Sequence, residues 1–248
     1  MTDDSSSSRQ AAEIARGVRQ QLSVLKGWGI EALPIQPRQP VAPPAVRPPG
    51  SKSGAPKPES EAMRTKREAL ARIGKEIAAC TRCPLARTRT HPVPGEGDPD
   101  AKLVFVGEAP GREEDLQGRP FVGAAGQLLT RMIEAMGLAR ERVYICNVLK
   151  DRPPDNRTPV PEEITACLPF LVSQLETIRP QVICALGAVA AKALLGSPVS
   201  IVEVRGRRFE FHGIPLIPTF HPAYLLRNPS AKKLAWEDLK KVKKLLTE

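Results

Sequence analysis

Between residues 102 and 219 the chain alternates short, wholly apolar runs with stretches of helical period, and few folds accept that order. The runs "KLVFVG", "VYICNVL", "QVICALG" and "IPLIPTF" are rich in Val and Ile and closed by Gly, Pro or Asn, the pattern of strands buried on both faces. Segments 124–136, 161–178 and 188–195 between them read as helices. The second opens on Pro161-Glu162-Glu163, a proline suited to the first turn and two acids at the positive helix end. A charged helix over 60–79, apolar at Met63, Leu70, Ile73 and Ile77, precedes the first strand, and an amphipathic helix from Ser230 closes the chain. "SIVEVRGRRFEFHG" alternates around Arg205-Gly206-Arg207 and reads as an edge hairpin, with Arg205, Arg207 and Arg208 on a solvated turn. The expected fold is α/β: three layers, α/β/α, around a central, mostly parallel four-stranded sheet. In such folds ligands sit at the carboxyl ends of the strands.

The first quarter reads differently. Residues 34–58 hold nine of the 26 prolines among Gly, Ser, Lys and Arg, with too little apolar surface to offset the entropy of ordering. The expected division is a disordered N-terminal extension and proline-rich linker over 1–58 and a catalytic domain over 59–248. Within the extension, Ile14, Val18, Leu22 and Leu25 fall at helical spacing, a surface for a protein partner. No basic stretch leads into an apolar run and no segment is long enough to span a bilayer, so a cytoplasmic protein is expected. There a Cys-x-x-Cys pair such as Cys80 and Cys83 means metal or redox chemistry rather than a disulfide. The formal net charge of +10 suits a polyanionic partner such as nucleic acid.

Three polar residues stand at three strand ends. "GEAPGREEDLQGRPFVG" presents Glu108 between Gly107 and Gly111, with Pro110 stiffening the loop; it lacks the Gly-Lys-Ser/Thr ending of a phosphate loop. Asn147 ends the second strand, and His221, followed by Pro222, ends the fourth. Each alone reads as an ordinary capping or structural residue, but a Glu, an Asn and a His converging on one edge make a candidate site.

"GEAPGREED", "GRPFVGAAGQLL", "NVLK-RPP-NRTP-PEE" and "HPAYLLRNP" resemble, in order, the motifs of the iron–sulfur (family four) uracil-DNA glycosylases, from Cys80 to the C-terminus. The resemblance implies hydrolysis of the N-glycosidic bond of deoxyuridine in DNA by a monomeric, nucleoid-associated repair enzyme. It further implies that Glu108 handles the attacking water and that His221 supports charge on uracil O2. Phe121 is then the aromatic plate and Asn147 the reader of the base edge. Gly107, Ala109, Pro110 and Gly111 line the base, and Glu114 borders its C5 side. Leu225, Leu226 and Arg227 follow as a wedge and phosphate contact at the rim.

By the same resemblance Cys80, Cys83 and Cys167 are ligands of a [4Fe–4S] cluster. The family's remaining cysteine falls at Asp151. Three thiolates and a carboxylate can hold a cluster that is labile or incomplete at one iron, and zinc on the same four groups is the alternative. Cys146 and Cys184 lie within apolar strands and read as core. Two other readings of the chain are a uracil- or DNA-binding module without turnover and a glycosylase that traps DNA covalently. The module needs neither Glu108 nor His221; the covalent type needs a basic, His-bearing loop for which "GREEDLQGRPF" has no room.

Overall fold

The computed structural model describes residues 60–247; the proline-rich stretch and the segment from Ile14 to Leu25 lie outside the described residues. Helix α1 (Glu61–Ala79) comes first, then the short strand β1 (Glu96–Gly97) and strand β2 (Leu103–Gly107). Helices α2 (Arg112–Gln117) and α3 (Ala124–Ala135) lead to β3 (Tyr144–Asn147), α4 (Pro161–Ile178), β4 (Val182–Leu186) and α5 (Ala188–Leu195). A turn of helix, α6 (Ile201–Val204), precedes β5 (Phe209–Phe211), β6 (Ile214–Thr219), α7 (Pro222–Arg227) and α8 (Lys232–Leu245).

The sheet has six strands in the order β1-β3-β2-β4-β6-β5. The expected parallel set, β3-β2-β4-β6, is its centre, and the four-stranded expectation is corrected by an antiparallel strand on each edge. The edge strands are two and three residues long, too short to show an alternation in sequence. The hairpin is also displaced. Its turn is His212-Gly213, and "SIVEV" begins a helix. Arg205 is not on a solvated turn: it forms a largely buried ion pair with Asp238 of α8, at 2.6 Å, while Arg207 and Arg208 are exposed as expected.

Period-two alternation sends Val104, Val106, Tyr144, Cys146, Ile183, Ala185 and Leu216 to one face, where Leu171, Leu175 and Ile178 of α4 and Ala190 and Leu194 of α5 cover them. Phe105, Ile145, Cys184 and Ile217 point the other way, on the side where α8 packs on β4 and β6. Each Val, Leu, Ile or Phe side chain among them, taken fully out of water, contributes about 1.5–3 kcal/mol. Cys146 and Cys184 are core residues, as read. Among the described residues no helix is long and apolar enough to cross a membrane.

The chain leaves β2 for β3 on one side and returns to β4 on the other, so the connections diverge at the carboxyl ends of β2 and β4. That divergence opens a crevice.

Candidate active site

Glu108, Asn147 and His221 meet at this crevice, around a cavity of about 480 Å³. Pairing between β2 and β3 continues past their ends: Val148 N donates to Gly107 O at 2.9 Å and Leu149 N to Glu108 O at 3.0 Å. This fixes the Glu108 main chain beside Asn147. From β6 the chain reaches His221, whose Nδ1 accepts from Ala223 N at 3.1 Å and so caps α7, with Pro222 in the first turn. Gly187, ending β4, makes room for this turn; a Cβ there would lie 2.9 Å from the His221 Cβ.

The electrostatics divide the three roles. Burial, aided by the Arg227 charge, pushes the His221 pKa down to about 4, so the ring is neutral at physiological pH. With Nδ1 accepting, the single proton of the neutral ring sits on Nε2. Burial also raises the Glu108 carboxyl above the usual carboxylate range, as suits a base rather than a spectator. Asn147 is 1% exposed, and its Oδ1 is a buried acceptor with no partner. Such an orphan is rare in a folded protein and marks a place where a ligand donates.

Phe121 completes the cavity. Its ring lies 5.6 Å, centroid to centroid, from the His221 ring, and its backbone is left-handed at φ +52°, which a bulky residue adopts only under constraint. Two glycines supply that constraint. A Cβ on Gly126 would sit 1.8 Å from Phe121 O; one on Gly107 would sit 2.5 Å from Phe121 Cζ and 2.3 Å from Asn147 Oδ1. Glu114 holds the loop from the other side, its Oε1 accepting from Val122 N at 2.9 Å and Gly123 N at 3.0 Å at the start of α3. Glu114 therefore borders the cavity with one oxygen already committed. Ala109, Pro110 and Gly111 line the cavity beside it.

Tyr224, Arg227, Asn156 and Arg157 also line the cavity. Of the leucine pair only Leu226 is exposed; Leu225 is fully buried and belongs to the core beneath the rim. The sequence reading missed Arg157. Its guanidinium is held by the buried Glu163 at 2.6 and 2.9 Å, and Glu163 also accepts from Val160 N at 3.0 Å to cap α4. The signal was available as an acid three residues beyond the cap position. Among the described residues lining the cavity there is no lysine. A wider groove of about 820 Å³ between α4 and α5 is apolar and has Lys192 as its one titratable side chain among the described residues.

A second site lies beyond Asn147 on the same segment. Cys80 and Cys83, just after α1, face Cys167 of α4 and Asp151 across one small cavity. The set differs from a free ligand sphere in one respect. Arg89 Nη1 donates to both oxygens of Asp151 at 3.0 Å, and Arg89 also binds the carbonyls of Ile77 and Ala78 at the end of α1. Cys167 Sγ accepts from Lys150 N at 3.2 Å, and burial raises its thiol pKa to about 11. Among the described residues no three His, Cys, Asp or Glu side chains gather as they would around a single ion. The cavity brings together three soft thiol donors and one carboxylate, a donor set that suits iron–sulfur chemistry better than a structural zinc site.

The profile of the uracil DNA glycosylase superfamily matches residues 94–240, which include Glu108, Asn147 and His221. Over 188 residues the chain is 50% identical to the type-4 uracil-DNA glycosylase of Thermotoga maritima, covering 74% of this chain and 98% of that protein. The type-4 enzyme of Archaeoglobus fulgidus is 47% identical over 186 residues, 72% of this chain and 94% of its own. A type-5 uracil-DNA glycosylase of Pyrobaculum aerophilum is more distant, 31% identical over 170 residues, 61% of this chain and 74% of its own. Site geometry, superfamily profile and near-complete coverage of type-4 relatives agree: the chain belongs to the uracil DNA glycosylase superfamily, in its type-4 branch.

Proposed function

We propose that the protein hydrolyses the N-glycosidic bond of deoxyuridine in DNA, releasing uracil and leaving an abasic site. The orphaned Oδ1 of Asn147, buried beside an aromatic plate, carries this reading. A carboxamide in this place accepts from uracil N3–H and donates to O4 at once. Cytosine has a bare N3 and an amino group there, so its edge leaves the amide mismatched; sites that hydrogen-bond a substrate reject the wrong edge by about 10⁴-fold or more.

A base inside a duplex is out of reach, so the nucleotide is flipped into the cavity and the base stacks on Phe121. As the C1′–N1 bond breaks, its electron pair moves onto the uracil ring, with the charge mainly on O2 and O4. The neutral His221 donates from Nε2 to O2 as that charge grows. The sugar is left with oxocarbenium character, which the Glu108 carboxylate supports. Glu108 takes a proton from water as the water oxygen bonds to C1′. With no lysine among the described lining residues, no Schiff base forms and the DNA backbone stays uncut. Leu226 takes the place of the flipped base, and Arg227 and Arg157 bind phosphates at the mouth. We read the enzyme as a cytoplasmic, nucleoid-associated monomer, since one chain carries every group named.

We further infer that Cys80, Cys83, Cys167 and Asp151 hold a [4Fe–4S] cluster. When bound, the cluster supplies structure rather than chemistry, joining α1, α4 and the loop after β3. The carboxylate is a harder and weaker ligand for its iron than thiolate, which makes that corner the labile one.

The test is release of uracil from a single-uracil oligonucleotide, followed by alkaline cleavage at the abasic site. Wild-type protein cuts without added metal. Glu108→Ala and His221→Ala each slow it by about a hundredfold or more, as loss of a positioned base or an electrostatic stabiliser does, with DNA binding unchanged. Near wild-type rates in both variants, or a borohydride-trapped adduct, overturn the reading.

A further inference from the structure

Lys150 has no role in the reaction above, yet at 1% exposure it is among the most buried side chains of the protein. A buried ammonium is costly, and a lysine that merely filled the core is better replaced by an apolar residue of the same length. Among the described residues Lys150 has no carboxylate partner. Its Nζ instead donates to two carbonyl oxygens, Asn147 O and Gln174 Oε1, each at 2.7 Å.

The first of these bonds turns the side chain back along its own strand end, onto the residue whose amide faces the cavity. The carbonyl of Asn147 follows its Cα directly, so holding that oxygen restrains ψ at position 147 and with it the Cα–Cβ bond from which the amide extends. The second bond anchors the lysine to a rigid support. Gln174 is itself 1% exposed on α4, and its Nε2 donates to Pro94 O at 2.7 Å. The Lys150 backbone is held too: its carbonyl accepts from Val93 N at 2.8 Å and its amide donates to Cys167 Sγ. Side chain and backbone of Lys150 are thus both held, and one of its two side-chain acceptors, Asn147 O, belongs to the residue proposed to read the base. Asn147 Oδ1 has no partner of its own to set its aim.

We propose that Lys150 is a positioning residue for base recognition: from the protein side it sets the aim of the Asn147 amide, with Gln174 as its anchor. The inference rests on the reading of Asn147 as the residue that meets the uracil edge.

A double-mutant cycle on full-length protein tests it, read as the single-turnover rate of uracil release and as inhibition by free uracil. Lys150→Met keeps the length and removes both bonds. The expected result is a loss of about tenfold or more in rate and in uracil affinity, the scale of one buried acceptor left without its hydrogen bond, with affinity for abasic-site DNA unchanged. In an Asn147→Ala background the same change has little further effect, because its only route to the base has gone. A role in stability alone gives additive losses and moves uracil and abasic-site affinities together. Should Lys150→Met fail to fold, Gln174→Met, which leaves the lysine its bond to Asn147 O but removes its anchor, goes through the same cycle, with a smaller loss in the same direction. Additive losses, or unchanged uracil affinity in a folded variant, overturn the inference. Wild-type protein that releases no uracil overturns the reading of Asn147 instead, a separate outcome.

Discussion

Two cavities lie on either side of one five-residue segment, Asn147 to Asp151, and they treat their polar groups in opposite ways. In the larger, the Asn147 amide oxygen has no partner, the Glu108 carboxyl is pushed above its usual range by burial alone, and His221 is held neutral. In the smaller, Asp151 is bound by Arg89 and Cys167 by the Lys150 amide. Groups left without partners in a folded protein mark where a transient ligand comes and goes. Asp151 and Cys167, already bonded within the protein, belong to structure before chemistry. The comparison predicts that rate responds steeply to changes in the first cavity and hardly at all to changes in the second.

The steepest response is expected from a single methyl group. Gly107→Ala places a Cβ within 2.3 Å of Asn147 Oδ1 and 2.5 Å of the Phe121 ring, both in the base's path. Uracil release should fall by about a hundredfold or more, as expected when positioning at the reacting centre is lost. A folded variant with wild-type kcat/KM would show that the cavity is not the base site.

Acid comes next. In the proposed role Glu108 acts as carboxylate, and burial raises its pKa, so the active form is lost as pH falls through that raised value. The rate should drop about tenfold per pH unit below it. His221, its pKa pushed down to about 4, becomes charged only toward the acid end of that fall. A profile that stays level to about pH 4 would remove Glu108 from the role of base.

At the second cavity, Asp151→Cys should give a more persistent brown chromophore and a higher Tm with little change in rate. Visible absorption and iron content before and after air exposure measure this. Equal iron loss in both proteins, or stoichiometric zinc and no iron, would end the ligand assignment. The smallest effect is expected from deleting residues 1–58, which should leave the intrinsic rate intact; a truncated protein that loses rate would tie the extension to the catalytic domain.

The sequence displayed the central sheet because its strands are buried on both faces and so are written as unbroken apolar runs. It hid β1, which is too short to carry a period, placed β5 in a hairpin with the wrong partner, and disguised α6, where "SIVEV" has the alternation of a strand but lies along the surface as a turn of helix. Glu108, Asn147 and His221 were legible because each stands at a strand end, where position implies exposure to a ligand. Lys150 and Arg89 were not. A lysine following "NVL" reads as the first solvated residue of a loop, and only the fold reveals that its side chain turns inward toward Gln174. Arg89 lies 62 residues from Asp151 in sequence, and no local pattern joins them. Glu114 was legible as a neighbour of the cavity, but its grip on two amides of the Phe121 loop depends on a turn that sequence does not encode locally.

The left-handed backbone of Phe121, wedged between Gly107 and Gly126, bears on where this enzyme looks for its substrate. As the proposed plate, Phe121 is held between its two glycines without DNA, so its own ordering takes nothing from the binding equilibrium. What remains to be overcome is the stacking and pairing of the nucleotide itself. Among uracils in different surroundings, those opposite a mismatched partner, next to weakly stacking neighbours or in single strands then present the lowest barrier. The order in which sites are repaired becomes a readout of the local softness of the DNA.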